Sequence, residues 1–438
     1  MTATEDPAGD QVAVVGMAGR FPGAGDVATF WRHLLDEVDS AGQPTPGVTE
    51  FDAERFGFDP TQAAGTDPQH RMFLEVAWEA LLDAGYRAGD AAADRTGAVD
   101  RCGVFGSASI NQYQLLRLLA GEPTMVAYQS PDHLSAQVAY RLGLSGPAVS
   151  VQTACSGSLV AVCLAAQSLL DYRCEVAVAG GTNVDLPGFP HPNQALISPD
   201  GVCRAFDAAG QGAGFGSGAG AVVLRRLDDA LAAGERIYAV LRGWAVTNDG
   251  ANRAGYAVPG VDGQAAAVAE ALAVAEVAPG EVGMIEAHGS GTRLGDAIEV
   301  AALRRVFGDH REPVALGSVK TNIGYLDAAC GVVGLIKAAL AVQQGMIPAS
   351  LHFQQANPDI DFGPFSVVTK TRPWAQSRRV AGVSAFGVGG TNAHVVLGSP
   401  PPGSGDPARL PVAAAFGRQP CWDDAVPRPR QSHRGGPA

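Results

Sequence analysis

The chain has 438 residues, of which 46% are hydrophobic and 17% charged, and its formal net charge is −13. This balance is typical of a folded protein with a large core and excludes a disordered chain. The acidic charge argues against binding to nucleic acid or to an anionic membrane, because few cations are available to neutralise phosphate groups.

The cysteines and the ends of the chain indicate a cytoplasmic protein. The seven cysteines are odd in number, and their spacing matches neither a CxxC pair nor a His/Cys zinc array. We therefore expect a reducing environment, mostly buried thiols and no bound metal. The N-terminus lacks the apolar core of a secretion signal, and no apolar stretch reaches the roughly 18 residues of a membrane span.

Strands and helices are predicted to alternate through the first half of the chain. Apolar runs and their periodicity place them, in order, at strand 11–21, helix 67–85, strand 101–109, helix 131–144, strand 148–154, helix 156–171, and strands 175–181, 221–227 and 237–246. Helix 67–85 presents Met72, Val76, Leu81 and Leu82 on one face, and Gly85 is suited to end it. Helix 156–171 is apolar all round, which predicts that it is buried.

The second half repeats this alternation. Its predicted elements are, in order, helix 264–277, strand 284–290, a helix after residue 295, strand 314–322, helix 331–344, and strands 381–390 and 392–397. Alternating strands and helices indicate an α/β layered fold. A Pro/Gly-rich linker follows Leu397, and the basic stretch 427–438 is predicted to be disordered.

Cys155 is the first candidate for chemistry, because it lies at a predicted strand-to-helix junction in TACSGSL. The positive end of the helix dipole stabilises a thiolate there. The small neighbours Ala154, Ser156 and Gly157 leave space for an acyl group, and successive backbone N–H groups can hold an oxyanion. A buried, unreactive cysteine is the structural alternative, and the residues alone leave both open.

His288 and Lys320 each lie at the end of a predicted strand. His288 lies in EAHGSGTRLGD, together with Thr292 and Asp296, and a side chain at a strand's carboxyl end can face a cleft. A core histidine is an equal alternative. Lys320 either pairs with Asp296 or Glu299 and fixes the loop, or it is merely solvated.

Two glycine-rich strings complete the candidates. Phe386 stands in AFGVGGTN, where a bulky ring between glycines can act as a gate, or can simply pack in the core. The string FGSGAG at 215–220 resembles a phosphate-binding loop, but it precedes a strand rather than a helix and so is weak evidence of one.

Seven ordered blocks stand out from the rest of the chain. They are VAVVGMAGRFPGA (12–24), DPQHRMFLEVAWEALLDAGY (67–86), SVQTACSGSLVAV (150–162), CRAFDAAGQG (203–212), IEAHGSGTRLGDAIEV (285–300), VKTNIGY (319–325) and GVSAFGVGGTNAHVVL (382–397). Together they resemble the β-ketoacyl synthase family of the thiolase fold, and most of all the ketosynthase domains of modular type I polyketide synthases.

The resemblance implies a fold and a domain division. The fold is a thiolase-like five-layered α-β-α-β-α sandwich of two similar halves. Residues 1–250 would form the half with the nucleophile, and 251–398 the half with the histidine, lysine and tyrosine loops. Residues 399–424 would pack back on the core as a linker-like segment, and 425–438 would be a disordered tail.

The resemblance also implies a reaction. An acyl group is transferred to the cysteine, and a decarboxylative condensation with a malonyl-type unit follows. The partner is an acyl carrier protein whose phosphopantetheine arm bears the substrate, and no cofactor of the chain's own is implied. The enzyme would be an acyltransferase by class and a homodimer, with the interface beside the nucleophile strand.

Individual residues take roles from the matched motifs. Cys155 matches the nucleophile, His288 the first active-site histidine and Lys320 the lysine that orders the site. Asp296 and Glu299 match its acidic partners. The remaining matched positions are Phe386 as the gate, Phe206 in the pocket, and Thr292 and Asn392 as supporting residues.

Tyr325 is the main departure from the family pattern. Family members usually read NIGH, and this chain reads NIGY at 322–325, so the second imidazole is missing. A phenol can still donate one hydrogen bond, but a displaced oxyanion donor typically costs on the order of 100- to 1000-fold in rate. Smaller departures are Gly157, the string AGFGSGAG at 213–220, and Cys330.

Three functions are compatible with these motifs. The first is condensation on carrier-bound acyl chains. The second keeps the nucleophile but omits decarboxylation, as in an intramolecular cyclase or a plain acyltransferase. A non-catalytic partner resembling a chain-length factor is disfavoured, because Cys155 is retained, and the block order disfavours a thiolase. Because LPVAAAFGRQPCWDD (410–424) resembles a post-acyltransferase segment with no acyltransferase before it, we expect a free-standing enzyme acting in trans.

Overall fold

The structure, a computed structural model, describes residues 11–87, 101–122, 129–187, 189, 196–309, 312–406, 408–411 and 413–429. The strands are β1 (Val12–Arg20), β2 (Glu50–Phe51), β3 (Cys102–Ala108), β4 (Ala148–Ser150), β5 (Val176–Asn183), β6 (Gly218–Arg226), β7 (Ala239–Asn248), β8 (Met284–Glu286), β9 (Val314–Gly317), β10 (Met346–Ile347), β11 (Phe365–Val367), β12 (Arg372–Pro373), β13 (Val380–Phe386), β14 (Thr391–Gly398) and β15 (Gln419–Pro420). The helices are α1 (Val27–Leu35), α2 (Pro60–Gly65), α3 (Pro68–Asp83), α4 (Gln112–Leu119), α5 (Leu134–Leu142), α6 (Gly157–Leu170), α7 (Leu227–Ala232), α8 (Val261–Val274), α9 (Arg293–Phe307), α10 (Lys320–Ile323) and α11 (Cys330–Gln344).

The strand pairing contains an internal repeat. The main sheet runs in the order β11-β9-β8-β13-β14-β7-β1-β6-β5-β3-β4. From β1 outward, β6 and β5 pair antiparallel, and β3 and β4 then continue in parallel. From β7 outward, β14 and β13 pair antiparallel, and β8 and β9 continue in parallel. The two halves join through the antiparallel contact of β1 with β7, so β7 lies in the second half's sheet although it precedes residue 250.

Two buried helices form the central layer between the halves. α6 and α11 pack on each other, and both contact strands of both halves. Every residue of α11 from Cys330 to Gln343 is buried, because this helix has sheet on either side. Lys337 within it pairs with Glu286 at 2.6 Å, and both side chains are almost fully buried. With α3 and α5 outside one half and α8 and α9 outside the other, the layers follow the expected α-β-α-β-α order.

The structure corrects several element predictions. The strand predicted at 314–322 ends at Gly317, and a one-turn helix begins at Lys320. The strand predicted at 148–154 ends at Ser150. Helix α3 has no single apolar face, because all residues from Pro68 to Leu81 are buried, whereas Leu82 is 36% exposed. Polar residues on α3 are buried against the C-terminal segment, which sequence periodicity could not show.

Residues 413–429 pack against the first half. β15 pairs with β2, and the Arg418 guanidinium pairs at 2.7 Å with the buried Glu75 carboxylate. Val426 is 2% exposed, so this part of the predicted tail is packed, while residues 430–438 lie outside the described residues. Across the described ranges, no helix has both the length and the apolar character needed to cross a membrane.

Candidate active site

A tight turn delivers Cys155 from β4 to the start of α6. Ala154 adopts φ of 52°, a left-handed conformation that costs a non-glycine residue roughly 1–2 kcal/mol. Cys155 follows in a short 3-10 turn, and α6 begins at Gly157. A Cβ at Gly157 would lie 2.1 Å from Ser107 Oγ, so the glycine, one of the departures from the family pattern, lets α6 pack directly on β3.

Cys155 is 4% exposed and has polar neighbours from the second half. Its Sγ donates a hydrogen bond of 3.3 Å to Asp327 Oδ1. Burial raises the pKa of the Cys155 thiol well above its ordinary value of 9.0, and the Asp327 carboxylate raises it further, whereas a hydrogen bond with the Tyr325 hydroxyl lowers it. Burial and the Asp327 carboxylate thus act against the thiolate that the helix dipole was expected to stabilise.

His288 follows β8 in a loop whose backbone is tightly held. Glu299 accepts hydrogen bonds from the backbone N–H groups of His288 at 2.7 Å and Gly289 at 2.8 Å. Burial, followed by the Lys320 ammonium, holds the pKa of His288 well below its ordinary value of 6.5, so the imidazole is neutral. Nδ1 accepts the backbone N–H of Phe386 at 3.5 Å, which places the ring proton on Nε2.

Lys320 fixes the same loop, but by a contact other than the predicted ion pairs. Its Nζ donates to the backbone carbonyl of His288. Among the described residues it forms no direct ion pair with Asp296 or Glu299 and acts on these carboxyls only at longer range. The predicted pairing is therefore wrong in detail, because the short helix α10 directs the lysine toward the turn rather than toward α9.

The carboxyl groups of Asp296 and Glu299 accept hydrogen bonds from backbone N–H groups and do not pair with Lys320. Asp296 accepts the N–H of Phe206 at 2.6 Å and that of Gly291 at 3.1 Å. Burial raises the pKa of both Asp296 and Glu299 to about 7. Thr292 precedes α9, and its hydroxyl lies 2.9 Å from the Ser290 hydroxyl. These residues therefore support the loop that carries His288.

Tyr325 packs against Phe215, which lies in the string AGFGSGAG (213–220) that also departs from the family pattern. Its phenol ring lies 5.0 Å from the Phe215 ring, 5.9 Å from the His288 ring and 5.5 Å from Lys320 Nζ. The Tyr325 N–H donates to the Gly214 carbonyl at 2.8 Å. Burial raises the pKa of the Tyr325 phenol well above 10.0, so the hydroxyl stays protonated and can donate a hydrogen bond.

Phe386 ends β13 rather than lying inside the glycine loop. Its ring is 5.8 Å from the His288 ring and it is 7% exposed. A Cβ at the following Gly387 would lie 2.1 Å from the Thr153 carbonyl oxygen, so glycine permits this loop to touch the nucleophile turn. The Asn392 side-chain amide donates a hydrogen bond of 2.7 Å to Asp249 Oδ1 and thereby supports the glycine loop that precedes it.

The structure brings together Cys155, His288, Lys320, Tyr325 and Phe386. Around them it places Phe206 and Thr292 in loops, Asp296 and Glu299 on α9, and Asn392 on β14. Sequence reasoning missed Asp327 and Phe215. A charged residue two positions after Tyr325, in an otherwise apolar stretch, was the available signal for Asp327. Within the described residues, no three His, Cys, Asp or Glu side chains are grouped as metal ligands.

Comparisons with protein-family models match almost the whole chain. The model described as "Beta-ketoacyl synthase, N-terminal domain" matches residues 9–46 and 38–230, and "Beta-ketoacyl synthase, C-terminal domain" matches 238–354. "Ketoacyl-synthetase C-terminal extension" matches 356–415. Both halves and the start of the packed C-terminal segment are thus covered.

Similar curated proteins and solved structures agree. A phenolphthiocerol/phthiocerol polyketide synthase subunit from Mycobacterium tuberculosis is 42% identical over 89% of this chain and 29% of its own length. Polyketide synthase GfsE of Streptomyces halstedii is 40% identical over 89% of this chain and 11% of its length. The chain thus spans less than a third of these relatives, and the free-standing arrangement stays a prediction.

Among solved structures, ketosynthase twelve of the bacillaene polyketide synthase from Bacillus amyloliquefaciens is 33% identical, with a TM-score of 0.81 over 90% of this chain and 76% of that one. The oxazolomycin ketosynthase domain OzmH KS7 of Streptomyces albus is 35% identical, with a TM-score of 0.82 and the same coverage of both chains. These likenesses bear out the thiolase-like fold.

Proposed function

Because the chain belongs to the β-ketoacyl synthase family, as a ketosynthase domain of the polyketide synthase type, we propose that it loads an acyl group on Cys155 and extends it with a malonyl-type unit. The observation that carries this proposal is the position of Tyr325 at the boundary of the two halves: its hydroxyl is hydrogen-bonded to the Cys155 thiol, and its ring lies 5.9 Å from the His288 ring. The first half thus supplies the nucleophile and the second half supplies the proton donors, a combination that acyl transfer requires.

In the first step, Cys155 Sγ attacks the thioester carbonyl of an acyl group on a carrier protein. The C–S bond to the carrier's arm breaks, and the carrier leaves with a free thiol. Backbone N–H groups at the start of α6 are available to the oxyanion, because the first turn of a helix leaves its donors without intrahelical partners. The phosphopantetheine arm belongs to the carrier, so the chain needs no cofactor of its own.

In the second step, a malonyl-type thioester on a carrier loses carbon dioxide, and its enolate carbon attacks the acyl group on Cys155. The C–C bond forms, the C–Sγ bond breaks, and the departing Cys155 thiolate takes a proton from solvent water. The His288 Nε2–H and the Tyr325 hydroxyl are the two donors for the enolate oxygen, and both are neutral. Lys320 and Glu299 act by positioning His288 through its backbone.

The partners follow from this chemistry. We propose an acyl carrier protein as the substrate's bearer and a second copy of the chain as the structural partner. Strand β4 ends the main sheet, and Ala148 and Val149 on it are exposed. Tyr140 on the adjacent α5 is 78% exposed. An apolar sheet edge beside the nucleophile turn is suited to pair with its own copy.

The comparisons favour condensation over a cyclase or a plain transferase, since the matched proteins are polyketide synthases and ketosynthases. The test is intact-protein mass spectrometry. Wild-type enzyme incubated with an acyl-loaded carrier should gain one acyl mass. Cys155→Ala should gain none, and Cys163→Ala, which removes a buried thiol further along α6, should behave as wild type. Addition of malonyl-loaded carrier should then release the acyl group as an extended product.

Retention of the acyl mass after malonyl carrier is added would restrict the activity to acyl transfer. Absence of any acylation of Cys155 would overturn the proposal as a whole.

A further inference from the structure

Resting on the proposed function, we infer that Asp327 is a catalytic base, which takes the proton from the Cys155 thiol as the acyl group is loaded. The two residues belong to different halves and are 172 positions apart in sequence, yet Sγ lies 3.3 Å from Oδ1. Asp327 therefore touches the reacting atom directly.

The fold holds this carboxylate at the sulfur. Asp327 has φ of 42° and opens the short 3-10 turn that leads into α11. The next residue, Ala328, donates its N–H to Ser109 Oγ at 3.3 Å, just beyond the end of β3. A left-handed aspartate costs roughly 1–3 kcal/mol and persists only where its surroundings enforce it. The hydrogen bond from Ala328 to Ser109 thus holds the backbone of this turn against β3, and the Asp327 carboxylate lies beside the Cys155 sulfur.

The other polar groups around the sulfur cannot act as its base. The neutral His288 ring uses Nδ1 to accept the Phe386 N–H and carries its proton on Nε2. Tyr325 is a protonated phenol. Lys320 donates to the His288 carbonyl, and an ammonium has no acceptor site. Among the described residues, the acceptor that faces the S–H group is thus Asp327.

The proposed step balances without any further reactant. As the bond from Sγ to the thioester carbon forms, the thiol proton moves to Oδ1 of Asp327 and the carbonyl oxygen becomes an oxyanion. The oxyanion then collapses, the bond from carbon to the arm's sulfur breaks, and the departing sulfur takes the proton back from Asp327. The carboxylate is regenerated, and the net change is the exchange of one thioester for another.

The electrostatics explain why a base is needed. The titratable groups that act on the Cys155 thiol are Asp327, Tyr325 and Cys330. Burial, the Asp327 carboxylate and Cys330 raise the pKa of the thiol well above 9.0, and the hydrogen bond with Tyr325 only partly opposes them. A free thiolate is therefore scarce at neutral pH. The proton must leave while the new bond forms, which is the task of a general base.

The test is the pair of variants Asp327→Asn and Asp327→Glu, measured by two readouts. The first is the rate at which an acyl thioester of N-acetylcysteamine loads Cys155, followed by intact mass. The second is the pH midpoint of Cys155 alkylation by iodoacetamide, followed by peptide mass mapping. Asp171→Asn, at the exposed end of α6, is the matched control and should match wild type in both.

In Asp327→Asn, acyl loading should become slower, whereas alkylation of Cys155 should become easier. Asp327→Asn should load the acyl group about 100- to 10,000-fold more slowly, because a general base is lost. Its alkylation midpoint should fall by about 1 to 3 pH units, because a like charge next to the thiol is removed. Asp327→Glu should recover most of the loading rate and keep the high midpoint.

Several outcomes would overturn the inference. Asp327→Asn loading at the wild-type rate would show that the carboxylate is not the base. Loss of loading with an unchanged alkylation midpoint would reduce Asp327 to a structural role. If wild type itself fails to load any acyl group, the proposed function fails first, and this result is distinct from either of the others.

Discussion

The Tyr325 hydroxyl can be removed with little disturbance of its surroundings. Tyr325→Phe keeps the ring that packs 5.0 Å from Phe215 and 5.9 Å from His288, so the cavity stays filled. Among the described residues, the hydrogen bond that is lost is the one between the hydroxyl and Cys155. The free energy of unfolding should therefore fall by only about 1 kcal/mol, the typical net value of one buried hydrogen bond.

The effect on decarboxylation should be far larger. If the hydroxyl donates to the enolate oxygen, its removal should slow decarboxylation about 100- to 1000-fold, equivalent to about 2.7–4 kcal/mol in the barrier. Acyl loading should slow much less, because the hydroxyl only lowers the pKa of a thiol whose proton is taken elsewhere. A selective loss in the second step is thus the signature expected for Tyr325.

The assay follows the mass of a malonyl-loaded carrier as it loses carbon dioxide, alongside the rate of acyl loading on Cys155. Tyr325→His is the comparison variant. It supplies an imidazole but leaves a cavity against Phe215, so we expect it to be less stable by on the order of 1 kcal/mol or more. Decarboxylation by Tyr325→Phe at the wild-type rate would refute the role given to the hydroxyl. Decarboxylation by Tyr325→His but not by wild type would show a site adapted away from condensation.

Other features of the site and its support yield three further predictions. Gly387→Ala would place a Cβ 2.1 Å from the Thr153 carbonyl oxygen. Because the two loops must then separate, acyl loading should slow about 100-fold, while circular dichroism shows an intact fold. Loading at the wild-type rate would contradict this prediction. Burial raises the pKa of Glu299 from 4.5 to about 7, so its contribution to stability is present below pH 4.5 and lost as pH rises through 7. The stability of wild type relative to Glu299→Gln should therefore fall by about 3 kcal/mol over that window in urea titrations, and a pH-independent difference would refute the assignment. Arg418→Ala removes the ion-pair partner of the buried Glu75 carboxylate. The free energy of unfolding should therefore fall by about 3–5 kcal/mol, and protease cleavage within 399–429 should become faster. Adding Glu75→Gln to the same chain should partly restore both the stability and the protease resistance.

The sequence predicted the elements beside the site because their signals are local. Apolar runs bounded by glycine placed α6 after Cys155 and the strand before His288, and seven ordered motifs implied the thiolase-like fold that the comparisons bear out. Short helices and strands were not predicted, because they contain too few residues to show a periodic apolar pattern. Helix α1 had a usable signal, since Asp26 caps it by accepting the Thr29 N–H at 2.6 Å.

The contacts within the site could not be predicted, because they depend on tertiary packing. Lys320 was expected to meet a carboxylate, yet the one-turn helix after β9 directs it to a backbone carbonyl. The thiol of Cys155 was expected to ionise at a helix N-terminus, yet burial and a carboxylate from the other half reverse the shift. No local pattern encodes a neighbour that lies 172 residues away.

The division of the site between the two halves also sets when it can form during synthesis. Cys155 leaves the ribosome well before its partners, since Asp327 follows 172 residues later. At translation rates of about 5–20 residues per second, the delay is roughly 10 to 35 s. During this interval the nascent chain carries the nucleophile without the groups that control its proton. Loading assisted by Asp327 can therefore begin only after the second half has been synthesised and has packed against the first.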